Sequence, residues 1–455
     1  MLEKICYSSP YFIRFALINI YGYLLSRKRF KGKFGEYFEL FSKTQWQSPE
    51  QIKEFQIDRL KKTMEIACQK VPYYRRLFSE YGLTPGDFRC LDDLKKLPTL
   101  TKKDIRDNFH DLLHEDIKNL PVTKNYSSGT TGQKLEFYLP RELAYNINYS
   151  LLYRFYGWAG VKQGDKRVTI GARFFTKKPP YWVYNKAENQ LLLSIHHLNE
   201  QTVDSYIETI RRFSPVFIQG HPTGIFFISQ RMAQLGKSVA VKAVFTTGET
   251  LDDSRRNVIT EAFNAEVFES YGVGESVIAA FECEKHCGFH EASELGVIEF
   301  EKTDSGLYKV IGTSLWNYAM PFLRYEIEDL AELSPSDRCS CGRALPLKIK
   351  RILGRIDDIL FSPDGGIILP ASIRMRVKPL LKPFENYQLQ QVAQKEYVLL
   401  IEGRLDELRK SHFLKAMKEA LGDWAKIEVK EVDRLMTDGG KVRSILNLYR
   451  RQKES

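Results

Sequence analysis

Cysteine is scarce, seven in 455 residues, and the number is odd. That excludes the disulfide framework of a small secreted domain and fits a reducing compartment. Long apolar runs are missing too. The nearest candidate, Tyr11 to Leu25, is interrupted by Arg14 and falls short of the ~18–20 apolar residues that cross a bilayer. No cleavage site of small residues follows it, so it does not read as a secretory leader. Internal repeats and low-complexity tracts are absent, and a composition of 43% hydrophobic and 27% charged residues excludes wholesale disorder, collagen and coiled coil. Charge of one sign is only mildly in excess. Lys and Arg number 68 against 57 Asp and Glu, a formal charge of +11 spread along the chain. Such a balance favours anions in general and gives no reason to expect nucleic acid as a partner.

What is present reads as two to three domains of α/β character. Residues 51–71 and 91–97 have helical patterns, and Thr101 is placed to cap a helix from Lys102. From about residue 140 the apolar strands Lys166–Ala172, Pro215–Gln219, Lys242–Thr246 and Ala265–Ser270 alternate with the amphipathic helices Glu142–Trp158, Val203–Phe213 and Asp252–Phe263. That alternation predicts mixed sheets with helices on their faces. Shorter alternating strands follow, among them Leu295–Glu301 and Leu307–Gly312, and then a stretch rich in breakers around Pro335, Gly342 and Pro346. After Gly354 comes a strand, a glycine loop at Asp364–Gly366, and an α+β pattern ending in helix Asp406–Leu421 and strand Ala425–Val432. The expected division is a large domain over 1–353, with an N-terminal helical extension over 1–50 and a β subregion over 281–345, and a small mobile α+β domain over 354–455. Within the extension, Arg27, Lys28, Arg29, Lys31 and Lys33 follow the apolar stretch directly. One reading is an amphipathic helix packed on the body with solvated basic residues at its end. The other is a peripheral contact with an anionic membrane, at its inner face, by a protein otherwise expected in the cytoplasm.

Five segments carry chemistry. Tyr126-Ser127-Ser128-Gly129-Thr130-Thr131-Gly132-Gln133-Lys134 is dense in backbone N–H and hydroxyl donors, as loops that wrap phosphates are. It is not a Walker loop, and Ser/Thr/Gly composition taken alone is more often an ordinary loop. Tyr271-Gly272-Val273-Gly274-Glu275 follows a predicted strand, where α/β sheets place ligands; Tyr271 is suited to stack on a base and Glu275 to hold Mg²⁺. Asp329, at the end of another strand, is suited to accept both hydroxyls of a ribose. Gly354-Arg355-Ile356-Asp357-Asp358 falls at the expected domain junction, and Asp438-Gly439-Gly440-Lys441 puts a lysine on a glycine-flexible loop.

In this order and spacing the segments resemble the core motifs of the adenylate-forming (ANL) superfamily, over residues 70–447. The resemblance implies that Ser127, Ser128, Gly129, Thr130, Thr131 and Gly132 form the phosphate loop. Thr247-Gly248-Glu249 would lie along adenine, and Tyr271, Gly272 and Glu275 would form the aromatic–glycine–acid motif. Asp329 would be the ribose aspartate, Arg355 and Asp357 would form the hinge, and Lys441 would be the catalytic lysine. Within the superfamily, Pro72-Tyr73-Tyr74-Arg75, Leu97-Pro98-Thr99-Leu100-Thr101-Lys102 and Gln219-Gly220-His221-Pro222 are similar to segments of the phenylacetate–CoA ligase and CapK-like group. One departure is Gln133-Lys134, where the phosphate loop usually continues Pro-Lys, which leaves the role of Lys134 open.

A second constellation is independent of nucleotide. Cys283-x₃-Cys287-x₂-His290 is followed by Cys339-x-Cys341-Gly. These soft ligands read as one closed, structural Zn²⁺ site of Cys283, His290, Cys339 and Cys341, with Cys287 the competitor for His290. The bland alternative is free buried thiols. His196, His197 and His221 read as packing or strand-end histidines, and His221, beside Gly220 and Pro222, has a second reading near an acyl pocket.

The resemblance implies an AMP-forming ligase that takes ATP, Mg²⁺ and a small-molecule or sugar carboxylate. The acyl-adenylate would pass to a thiol such as coenzyme A. The alternative is an amide- or ester-forming ligase with an amine or hydroxyl acceptor, since CapK-like proteins are associated with capsule and surface polysaccharide pathways. A basic, zinc-containing binding module is a third reading, and it leaves Asp329, Arg355 and Lys441 unexplained.

Overall fold

The structure is a computed structural model that describes residues 9–127, 135–171, 176, 178–303, 306–355, 360–363, 367–368, 373, 376–377, 380–381, 385–433, 435 and 444–449, excepting the side chains of 355, 361 and 367. The N-terminal extension forms helices Tyr11–Phe30 and Phe34–Thr44, followed by helix Pro49–Lys70. The last of these starts where its chemistry dictates. Ser48 accepts from the N–H of Gln51 and the Gln51 side chain accepts from the N–H of Ser48, with Pro49 in the first turn. Among the described residues no helix is long and apolar enough to cross a membrane.

Strands β1 (Val122–Tyr126) and β2 (Glu136–Pro140) form a separate antiparallel hairpin. Twelve further strands make one sheet: β3 (Arg167–Gly171), β4 (Trp182–Asn185), β5 (Gln190–Ser194), β6 (Phe217–Gly220), β7 (Ala243–Thr247), β8 (Val267–Gly272), β9 (Ala279–Glu282), β10 (Phe289–Glu291), β11 (Gly296–Lys302), β12 (Tyr308–Ser314), β13 (Tyr325–Leu333) and β14 (Ile349–Arg355). Their spatial order is β11-β12-β13-β14-β10-β9-β8-β7-β6-β3-β5-β4. Strands β5, β3, β6, β7 and β8 are parallel neighbours, and the rest pair antiparallel on either side. From β3 the chain makes β4 and β5 on one side and then crosses from β5 to β6 on the other, so a topological switch point lies between β3 and β6. Ligands in open α/β sheets bind outside the carboxyl ends of the strands at such a point. Those ends here are Gly171, Ser194, Gly220, Thr247 and Gly272.

One hydrophobic core joins the helices of residues 34–80 and 148–158 to β7–β14, and another fills the space between the parallel strands and helices Val203–Phe213, Pro222–Gln234 and Asp253–Phe263. A third draws only on residues from Leu360 onward. It packs helix Glu407–Leu421 against a sheet of order β19-β18-β17-β20, made of β17 (Tyr387–Ala393), β18 (Glu396–Glu402), β19 (Lys426–Val432) and β20 (Ile445–Asn447). Before it, Leu360–Phe361 (β15) and Ile367–Ile368 (β16) pair as a short hairpin.

Strands β3, β6, β7 and β8 fall where the sequence pattern puts them, within two residues, whereas β4 and the parallel strand β5 lie where no strand is expected. Two expected helices differ. Glu142–Trp158 begins with a π-helical stretch, Glu142–Ile147, before the α-helix Asn148–Trp158. Residues 91–96 form a 3₁₀ helix, closed off by the Asp93 carboxylate, which accepts from the N–H groups of Arg89 and Cys90 at 2.8 Å. Of the basic residues expected to be solvated at the end of the N-terminal helix, Arg29 is instead buried on Glu188.

Candidate functional site

Gly248, Tyr271 and Gly272 stand at the carboxyl ends of β7 and β8, and Asp329 joins them through Tyr271. The Tyr271 hydroxyl, at the end of β8, donates to Asp329 Oδ2 at 2.8 Å. Asp329 lies on β13 with Arg355 of β14 as its register partner, so two motifs far apart in sequence meet on one ladder. Glu328 beside it has φ of +68°, a left-handed conformation in a residue other than glycine. Its side chain is pinned there by an ion pair with Lys102. Lys102 starts its helix after the capping box of Thr101 and Asp104, and Leu100 bonds Arg324 and Glu326 on either side of Tyr325 at 2.9 and 3.0 Å. The Leu97–Lys102 segment therefore docks on the start of β13 and sets the bend that presents Asp329. No pattern in the sequence assigns Lys102 this positioning task; only its place in the motif marks it.

Gly248 follows β7 with φ of +78°, and a Cβ there would lie 3.2 Å from the His221 ring, whose Nδ1 lies 3.2 Å from Thr247 O. Glu249 turns away from this edge: its carboxylate accepts from the N–H and hydroxyl of Thr223, at 3.1 and 2.6 Å, at the start of helix Pro222–Gln234. Gly272 closes β8, and Glu275 is buried, its carboxylate accepting from the Tyr325 hydroxyl at 3.3 Å. Ser127 closes the neck of the β1–β2 hairpin. Its N–H donates to Leu135 O at 2.8 Å and its hydroxyl accepts from Leu135 N at 3.0 Å. Ser128, Gly129, Thr130, Thr131, Gly132, Lys134, Asp357, Lys441 and the Arg355 side chain lie outside the described residues.

Beneath the switch point is a cavity of about 130 Å³ between helix Asn148–Trp158 and strands β3, β5 and β6. Its lining includes Tyr153, Arg167, Thr169, Gln190 and Gln219. The Thr169 hydroxyl accepts from Gln190 at 2.7 Å and from Gln219 at 2.9 Å, and the Tyr156 hydroxyl donates to Gln219. A hydroxyl that accepts twice has its proton left to offer. Arg167 holds Tyr153 at 2.7 Å and pairs with Glu188, which also accepts from Arg29 at 2.6 Å.

The cysteine–histidine constellation assembles on the other side of β9. Strands β9 and β10 form a hairpin that sets Phe289 opposite Glu282, and Cys283 and His290 are fully buried there. A Cβ on Gly288 would sit 2.5 Å from Ile349 O, so glycine lets the hairpin press onto β14. The Cys339–Cys341 loop, between β13 and β14, closes over it. Ligand atoms of Cys283, His290, Cys339 and Cys341 all lie within 4.8 Å of one another. Cys287 Sγ comes within 3.4 Å of Cys339 Sγ from the exposed side. His290 Nδ1 lies 2.8 Å from Leu345 O. A carbonyl only accepts, so the proton sits on Nδ1 and the Nε2 lone pair faces Cys341 Sγ at 3.4 Å. Burial lifts the Cys283 thiol above its usual range and lifts Cys287 to about 11. Cys339, although partly buried, is held below its ordinary value by the Cys341 N–H and the neighbouring thiols.

With this geometry in hand, known proteins give a consistent picture. No protein-family model matches the chain. The sequence is 28% identical over 387 residues to protein CapK of Staphylococcus aureus, covering 83% of each chain. It is 27% identical over 364 residues to the phenylacetate–coenzyme A ligase of Pseudomonas putida, covering 75% of this chain and 79% of that one. CapK and the phenylacetate–coenzyme A ligases are homologues of this chain. The fold is that of an adenylate-forming ligase. A 2-hydroxyisobutyryl-CoA ligase solved in the postadenylation state with 2-HIB-AMP superimposes with a TM-score of 0.66 at 17% identity, over 90% of this chain and 93% of the other.

Proposed function

We propose that the chain is an ATP-dependent, AMP-forming carboxylate ligase that passes its acyl group to a thiol such as coenzyme A. The observation that carries this reading is the Tyr271–Asp329 pair at the carboxyl ends of the parallel strands, in a chain homologous to phenylacetate–coenzyme A ligases. An aromatic ring beside a carboxylate on one edge of the sheet suits a base and the two hydroxyls of its ribose.

In the first step a carboxylate oxygen attacks the α-phosphorus of ATP. The bond to the β-phosphate breaks and pyrophosphate leaves. No general base is required, because a carboxylate is ionised above its pKa of about 4. What remains for the protein is alignment and charge dispersal. Lys441 is assigned the bridge between α-phosphate and carboxylate, and Ser127, Ser128, Gly129, Thr130, Thr131 and Gly132 the phosphates. Gly248, Glu249 and Gly272 are assigned the adenine edge, although the carboxylate of Glu249 caps a helix here. The buried carboxylate of Glu275 suits Mg²⁺, which supplies neutralisation of phosphate charge when bound. In the second step the thiol sulfur attacks the acyl carbon, the bond to AMP breaks, and the thiol proton is released. A domain boundary at 354, with Arg355 and Asp357 at the turning point, would let residues 354–455 exchange Lys441 for the Asp364–Pro370 loop between the steps. Cys283, His290, Cys339 and Cys341 are assigned a structural Zn²⁺. Four donors with no open position fit that role.

The polar lining of the cavity favours an acid that carries hydroxyl groups, and with it a second reading in which an amine or hydroxyl accepts the acyl group. Acid-dependent pyrophosphate exchange across aryl acids, hexuronic acids and amino acids, followed by thioester formation with coenzyme A, tests both readings. Lys441→Ala is expected to lower exchange by at least about 100-fold while ATP binding is kept. Full exchange in that variant would remove Lys441 from the mechanism.

A further inference from the structure

Helix Tyr11–Phe30 turns polar groups inward, beside the half-buried Phe15, Ile18 and Leu25. Arg14, 1% exposed, donates to Pro180 O at 2.9 Å and also to the Thr176 hydroxyl. The Asn19 amide donates to Tyr184 O at 2.9 Å while its oxygen accepts from Lys186 N at 2.8 Å. Gly22 lies against Asn185, where a Cβ would come within 2.3 Å of Oδ1. Arg29 donates to Glu188 at 2.6 Å. The outer side is apolar: Phe12 is 70% exposed, Ile20 61%, Tyr23 55% and Leu24 53%. At about 100° per residue these positions fall on one face with Ala16 and Arg27, and Asn19 marks its edge toward the body. A helix whose only partners are water and its own body keeps its large apolar side chains inward and does not leave this many facing out.

Charge completes the pattern. The helix has no acidic residue, and Arg27, Lys28 and Lys31 are exposed where the apolar face ends. The Arg27 guanidinium lies 5.9 Å from the Tyr23 ring. Lys33, just beyond, is taken by Glu142 at 3.0 Å. The acids nearest in sequence, Glu36 and Glu39, are on the next helix, and Glu39 is paired with Lys43.

We propose that this face docks on an anionic lipid bilayer. The helix would lie in the headgroup plane, with Phe12, Ile20 and Leu24 among the acyl chains and Arg27, Lys28 and Lys31 on lipid phosphates. An anionic bilayer offers both halves of what the face presents, apolar depth and negative charge. A second copy of the helix offers no acid to meet the cations. The inference is independent of the acid and acceptor the enzyme uses.

The test is flotation of the full chain with phosphatidylcholine vesicles, with and without phosphatidylglycerol. The protein is expected to float with anionic vesicles and to be released by salt. The triple variant Phe12→Ser/Ile20→Ser/Leu24→Ser and the double variant Arg27→Glu/Lys28→Glu are each expected to lower the bound fraction by about tenfold or more. All five side chains point to solvent, so unchanged thermal unfolding is expected of both. Absence from the floating fraction with anionic vesicles, or flotation that both variants retain, would overturn the proposal. So would a concentration-dependent dimer in light scattering that the triple variant abolishes, because the occupant would then be a second copy.

Discussion

The position of Asp329 traces to its neighbour in the chain. The left-handed backbone at Glu328, fixed through Lys102, turns the strand so that its neighbour meets Tyr271. Elsewhere burial shifts the titration of a single side chain. Glu269 on β8 is pushed up to about 7, first by burial and then by the facing carboxylate of Glu282, against the opposing pull of Arg256 and Arg351. Unfolded, the same group titrates near the ordinary 4.5. The folded protein therefore binds the extra proton between these values. Its stabilising contribution is complete below about 4.5 and is lost as pH rises through about 7. Glu269→Gln is expected to flatten that part of the stability–pH curve, by about 3 kcal/mol across the interval. Chemical unfolding at a series of pH values measures it; an unchanged slope would mean the carboxyl is solvated.

At the scale of elements, the β9–β10 hairpin and the Cys339–Cys341 loop depend on each other. Neither is long: β10 has three residues. Closed zinc sites contribute on the order of 10 kcal/mol to local folding, which suits a short hairpin and a loop rich in breakers. Protein purified without chelator is expected to carry about one zinc per chain, lost in Cys283→Ser together with thermal stability. Metal content near zero in the unaltered protein would remove that assignment. The constellation was legible because soft ligands at short spacing have few other uses. The choice between His290 and Cys287 was not legible, since it depends on the Leu345 carbonyl that orients the ring. Strands β3, β6, β7 and β8 were legible from apolar runs between amphipathic helices. Strands β4 and β5 were not, because β4 has only four residues and no amphipathic helix separates it from β5, so only their pairing decides the matter.

At the scale of the whole molecule, the N-terminal extension is built into the large body. Arg154, on helix Asn148–Trp158, pairs with Glu294 at full burial, and the same carboxylate accepts from Thr44 of the extension. Trp158 Nε1 donates to Gln45 at 2.8 Å. Removing one partner of a buried pair leaves a lone charge in the interior. Arg154→Leu is expected to destabilise the protein by about 3–5 kcal/mol in urea unfolding. A loss within about 0.5 kcal/mol would show that water reaches Glu294. This tie was invisible in the sequence, where Thr44, Arg154 and Glu294 lie far apart and none belongs to a motif.

Asn19 has one more consequence. Its side-chain amide meets the carbonyl of Tyr184 and the N–H of Lys186 as the backbone of a neighbouring strand would, and β4 is the last strand on that side of the sheet. The amide thus acts as a plug on an open ladder. A chain shortened to begin after Phe30 would leave those groups bare, and its molecules would recruit one another through strand pairing rather than simply lose a helix.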